Sequence, residues 1–387
     1  MAAQGKKRCL RQSRFAAVAG TGVLPKEQRS KPSTRGTRMA TQADFAYTEP
    51  PQRVISKLDD GPAHAVRSAE EIVAGLPDTS ARTHHDGDLE HLGAVTAVHR
   101  FVDAPGDSET VRWHFVESGA ASDPTVVFLH GLPDSWWQWH YALEGLGRRY
   151  HCLAVDLKGY GQSDKRSGDY RQAGVAAQLG ALLDELGVGE FILITHDRGS
   201  PVGDHLVAAM GARVRGYGRG QQHLWHLHPR LHPQEKLMQS AEAPAMLREA
   251  RRFVTTVYTW LAERPVARED LIRTIEEFSH PGVATAVPRY FHSSSFRQEW
   301  VDRRSRLIRA WTAPVLLLQG AHDPLQPREF YREPELLAML PPGSGVHLFD
   351  TGHFWPFEAP QATVDVLTDF CDRVARKSSP VSSGTPA

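Results

Sequence analysis

The residues Thr195-His196-Asp197-Arg198-Gly199 follow a short apolar run and open a helical pattern over 200–210. A sharp strand-to-helix turn lifts its central side chain clear of the backbone, and small flanking residues let the chain turn without clashes. Here the central residue is a carboxylate, with Thr195 where a glycine is usual and Gly199 in place. A carboxylate so presented attacks carbon and becomes an ester, and the amino end of the following helix favours its charge. Aspartate also caps helices well, so Asp197 alone has a purely structural reading. Its companions weaken that reading. His130-Gly-Leu-Pro133 follows the run 125–129 and can aim the Leu132 backbone N–H at the spot served by the Arg198 backbone N–H, two donors for an oxyanion. Asp323, in Gly320-Ala-His-Asp-Pro324, ends another apolar run and suits an acid that orients a histidine. His353, in Gly352-His-Phe354, precedes the last helical pattern and suits a general base.

Positioning these groups requires strands that end at one edge. Runs 125–129, 151–155, 191–195 and 314–318 are short and continuously apolar, as in strands buried on both faces, and 346–349 is a further strand. Helical spacing over 172–186 lies between two of them, which predicts a parallel sheet with crossover helices: an α/β fold. Residues 99–103 and 111–116, split by Pro105-Gly-Asp-Ser, read as a hairpin. The stretch 223–308 lacks a buried-strand run and reads as a helical cap over the strand ends, inserted in a core of 91–222 and 309–376. A last helix is expected over 361–374. The segment 214–220 should be a core strand, yet carries three glycines and two arginines.

Residues 1–90 read as a mostly disordered extension, with one helix near 65–76, and 377–387 as a disordered tail. The apolar stretch 15–24 after Lys6, Lys7 and Arg8 is too broken for a signal peptide, and Met39 offers a second start. The 387 residues hold 45 basic and 45 acidic side chains, so charge gives no case for nucleic acid or an anionic membrane surface. Three cysteines, scattered and odd in number, argue against a disulfide framework and for a reducing, cytoplasmic setting. No window has the roughly 18 apolar residues of a spanning helix. His223, His226, His228 and His232 have mixed spacing among prolines and read as a solvated loop rather than a metal site.

From about 99 to 376 the chain resembles the epoxide hydrolases of the α/β-hydrolase superfamily, with haloalkane and haloacetate dehalogenases as near relatives. The resemblance rests on the His130-Gly-Leu-Pro133 loop, Asp156-Leu-Lys-Gly-Tyr-Gly161, the turn at Asp197, Asp323 and His353. It implies the α/β-hydrolase fold, no cofactor, an alkyl ester on Asp197, and its hydrolysis by water that His353 activates. It also implies two cap tyrosines that protonate the epoxide oxygen. Tyr258, seven residues before Pro265, and Tyr290, in Val287-Pro-Arg-Tyr290, match that pattern. Arg198 resembles the haloacetate dehalogenases instead, but Pro201 stands where their second arginine grips a carboxylate. Trp136 and Phe354 are expected to line a pocket for an apolar or aromatic small molecule. Each of these aromatics has ordinary packing as its alternative. The reading is therefore an epoxide hydrolase, with dehalogenation and a non-catalytic ligand-binding protein as alternatives.

Overall fold

The computed structural model describes residues 68–106, 110–222, 224, 231–331 and 334–376. The expected leader up to 67, the tail from 377, and His223, His226 and His228 lie outside the described residues, as does the side chain of His232.

Nine strands form one sheet: β1 (Leu89–Leu92), β2 (Val95–Pro105), β3 (Thr110–Ser118), β4 (Thr125–Leu129), β5 (His151–Val155), β6 (Phe191–Thr195), β7 (Val214–Gly220), β8 (Val315–Gly320) and β9 (Gly345–Phe349). Their spatial order is β1-β2-β3-β5-β4-β6-β7-β8-β9. The expected hairpin is the antiparallel β2–β3 pair, while β5 through β9 run parallel. Every residue of β5, β6 and β8 is buried, which is why their sequences are apolar without alternation.

The helices that matter below are α1 (His140–Leu146), α2 (Gln172–Glu185), α3 (Gly199–Met210), α4 (Leu231–Gln239), α5 (Ala243–Arg248), α6 (Ala250–Leu261), α7 (Arg268–Phe278), α8 (Val283–Ser293), α9 (Phe296–Asp302) and α10 (Pro360–Arg376). Between β7 and β8 the described chain is wholly helical, from α4 to a π turn at Arg303–Leu307 that runs on to Ala310. The closing helix α10 starts on proline, whose missing N–H costs nothing there. It buries Thr363, Leu367, Phe370, Cys371 and Val374 as one stripe against the sheet.

The glycines and arginines of β7 have a physical reason. Gly216, Gly218 and Gly220 share one face of the strand. A Cβ on Gly216 would come within 2.9 Å of Val374, and one on Gly220 within 2.7 Å of the Thr195 carbonyl and 2.8 Å of Trp355. On the other face Arg219 is fully buried, and its fork grips Asp204 of α3 through Nε at 2.8 Å and Nη2 at 3.1 Å. Arg303 from the π turn and the Tyr217 hydroxyl, at 2.9 Å, also donate to Asp204. The strand is thus central despite its composition, because its charge is cancelled internally and its small residues admit close neighbours.

The amino-terminal side departs from expectation. The helix expected near 65–76 is present over 68–74, but β1 starts at Leu89, inside the expected extension, and pairs with β2. His84 stacks on the buried His99 at 3.7 Å, and Gln162 bonds the His84 backbone from both sides of its amide. Part of the expected extension is therefore integral to the packed unit.

Candidate active site

Asp197 sits between β6 and α3 with a φ of 41°, in the left-handed region that a non-glycine residue occupies only under constraint. The constraint is close packing. A Cβ on Gly199 would lie 2.6 Å from the Leu129 carbonyl and 2.7 Å from that of His130. Thr195, at the position usually given to glycine, is accommodated by pairing its hydroxyl with Ser200 Oγ at 2.9 Å, and Ser200 donates to the Gly220 carbonyl at 2.6 Å. Ser200 is thus a brace for the turn.

The Asp197 carboxylate receives two hydrogen bonds, from Leu132 N–H to Oδ2 at 2.9 Å and from Gln222 Nε2 to Oδ1 at 3.1 Å. His353 Nε2 stands 3.9 Å from Oδ1, beyond hydrogen-bond distance but close enough for one water beside the pair to reach both. His353 Nδ1 meets Asp323 Oδ2 at 3.1 Å, and Asp323 also accepts from Gln221 Nε2 at 2.5 Å and from Leu325 N–H at 2.8 Å. The structure therefore brings Asp197, Asp323, His353 and the Leu132 N–H together at one end of the sheet, and Arg198 begins the turn of α3 beside them.

Burial depresses the basicity of His353, but the Asp323 carboxylate and its hydrogen bond outweigh it and hold the imidazole above its ordinary pKa. For Asp323, burial raises the pKa, and His353, Gln221 and the Leu325 N–H pull it below the usual carboxylate range. A base must be neutral to take a proton, so activity should fall as pH drops through the raised His353 pKa. The acid limb of kcat/KM is expected above about pH 6.5, and Asp323→Asn should shift it to lower pH; a pH–rate profile of both proteins checks this.

The carboxylate opens into a cavity of about 470 Å³. Its wall is mostly apolar, from Leu132, Met238, Phe253, Leu261, Phe291 and Leu325 among others, with the amides of Gln221, Gln222, Gln234 and Gln326 set into it. Helices α4, α5, α6, α8 and α9 supply much of that wall.

The family model for the α/β hydrolase fold matches residues 124–217. A curated relative, epoxide hydrolase 4 of Homo sapiens, is 29% identical over 154 residues, 39% of this chain and 38% of that protein. A haloalkane dehalogenase of Mesorhizobium japonicum is 41% identical over 102 residues, 26% of this chain and 33% of that one. The matched stretches thus span about two-fifths or less of these relatives' own length. Among solved structures, wild-type Cfl2 from Burkholderia cenocepacia superposes with a TM-score of 0.63 at 24% identity, covering 74% of this chain and 99% of that one. The chain has the α/β-hydrolase fold.

Within this α/β-hydrolase fold, four expected site aromatics lie elsewhere. Helix α6 turns Phe253, Thr256, Val257, Trp260 and Leu261 to the cavity, the spacing of one helical face. Tyr258 falls on the opposite face, where its hydroxyl donates to the buried Asp134 carboxyl and its ring stacks on Phe354 at 4.0 Å. In α8 Phe291 faces the cavity, so Tyr290, one residue earlier, points into the core and donates to the Lys158 carbonyl at 2.8 Å. Trp136 and Phe354 are fully buried in packing and do not line the cavity. Asp134, which burial and the nearby Asp197 push up to about 7 against the opposing Tyr258 hydrogen bond, was not anticipated from sequence. Neither were Gln221 and Gln222, whose only signal was two amides directly after a strand.

Among the described residues, one cluster has metal-ligand spacing: His84, Glu90 and His99. The Arg273 guanidinium already occupies it, 3.1 Å from His84 Nε2 and 3.0 Å from Glu90 Oε2, so a cation is supplied by the protein itself. No helix among the described residues is long and apolar enough to cross a membrane.

Proposed function

We propose that this protein is an epoxide hydrolase-like enzyme that opens an epoxide to a vicinal diol through an alkyl ester on Asp197. The observation that carries the reading is a carboxylate held at φ 41° on the cavity floor, with a histidine–aspartate pair behind it. Asp197 forms a bond to the ring carbon as the C–O bond breaks, and the alkoxide takes up a proton from solvent. His353 then removes a proton from water, whose oxygen attacks the Asp197 carbonyl carbon. The Leu132 N–H, already on Oδ2, receives the negative charge, joined by the Arg198 N–H. The ester C–O bond breaks, the departing oxygen takes the proton held by His353, and the diol leaves; the Asp197 carboxyl then releases its proton to solvent and is a carboxylate again. On this reading the helices between β7 and β8 are a cap that screens the intermediate from bulk water. The epoxide hydrolase relatives support the same chemistry.

A second reading, displacement of halide from a haloalkane, is favoured by one observation. The Tyr258 and Tyr290 hydroxyls are engaged away from the cavity, while the Gln222 amide stands beside the nucleophile. A departing halide needs hydrogen-bond donors and no proton. One experiment separates the two: a panel of aryl-substituted epoxides and matched haloalkanes, assayed for diol and for halide, in ¹⁸O-water under single turnover. Diol as the product, with label entering Asp197 before product, is the expected result. Label in the first product released rejects the ester, and halide release without diol reverses the order of the readings.

A further inference from the structure

Arg198 adjoins the nucleophile and lines the cavity, yet its charge is not at the disposal of a ligand. Its Nη1 and Nη2 form a fork with Glu299 of α9, at 3.1 and 2.8 Å, and both side chains are only 3% exposed. Gln172 of α2 donates to the same carboxylate. Phe291 and Phe296 cover the guanidinium at 5.0 and 5.3 Å, so little water reaches the pair. The remaining donor, Nε–H, is buried without a protein partner among the described residues. The local sum of Asp197, Arg198 and Glu299 is one negative charge, in a largely apolar chamber where charge is poorly screened.

We propose that Glu299 is a specificity-determining residue that cancels the charge of Arg198 and closes the cavity to carboxylates and other anions, leaving it to ligands without negative charge. The proposal rests on the Asp197 site as read above and deepens it by naming the substrate class. An arginine next to a nucleophile is otherwise a receptor for anions, because its planar donors match a carboxylate. Here an internal carboxylate has taken that place. A substrate carboxylate entering the chamber meets the negative sum, and a neutral acceptor atom does not.

The test is a binding measurement that needs no turnover, so it reads even if the proposed reaction is wrong. Phenylacetate and phenylacetamide, matched in shape and differing in charge, are titrated calorimetrically into the full-length protein. The amide is expected to bind about tenfold or more tightly than the acid; equal affinities, or preference for the acid, overturn the proposal. Glu299→Gln should gain phenylacetate affinity by about tenfold or more, and adding Arg198→Gln should erase the gain. A folded Glu299→Gln protein without the gain, or a double variant that keeps it, also overturns the proposal. If Glu299→Gln does not fold, the paired titration of the parent protein still decides.

Discussion

Asp197→Ala should leave a folded protein whose turnover is lower by about ten-thousandfold or more, the scale set by removing the nucleophile from a cooperating group. Among the described residues, the two carboxylates near it are committed elsewhere. Asp134, near in space, is buried and bound to the Tyr258 hydroxyl and to Gln138 Nε2, and Asp323 is held by three donors behind the histidine. His353→Gln should behave differently: the ester forms and is not hydrolysed. Intact-protein mass spectrometry after exposure to epoxide should show the parent unmodified at steady state and His353→Gln heavier by one substrate, with the increment mapping to Asp197. An unmodified His353→Gln protein, when the parent turns over the same epoxide, would contradict the two-step route.

The largest effect on stability should come from Asp204, far from the chemistry. Its carboxylate accepts from both buried guanidiniums, Arg219 and Arg303. Burial opposes its ionisation, but the two arginines hold its pKa down to about 2. Asp204→Ala leaves two desolvated cations facing each other, so unfolding should become easier by about 3–5 kcal/mol, measured by urea denaturation. The pH dependence has a definite sign. A carboxyl whose folded pKa is depressed stabilises fully above its unfolded value, near 4, and loses that contribution as pH falls toward about 2. The parent should therefore lose more stability on the acid side than the alanine variant does.

The contrast between β6 and β7 shows what the sequence makes legible. Buried strands such as β6 announce themselves because water is excluded from both faces and four consecutive side chains, Phe191 to Ile194, are apolar. β7 is buried as deeply, but its burial relies on an ion cluster and on glycines that admit α10 and Trp355, neither of which has an apolar signature. β1, with the sequence Leu-Glu-His-Leu, is an edge strand largely open to solvent, so it has no buried-strand signature and straddles the expected end of the extension at 90. The site divides along similar lines. Asp197, Asp323 and His353 stand at strand ends, where local sequence dictates position to within a residue. Tyr258 and Tyr290 were placed by spacing to a proline or a neighbouring motif, and on a helix an error of one residue rotates a side chain by about 100°. Glu299 and Gln222 act through partners distant in sequence, so nothing near them in the chain marks their roles.

A backbone hydrogen bond joins the two halves of the cavity. The His353 backbone N–H donates to the Leu261 carbonyl at 2.9 Å, and the Glu358 carboxylate ties the Glu263 and Arg264 amides to the same loop. Leu261 ends α6, whose inner face forms the chamber wall. That end of the roof is therefore hinged to the base itself: lifting it would drag the imidazole out of register with Asp197. Any opening that keeps the histidine in register with Asp197 must therefore leave this end of α6 where it is.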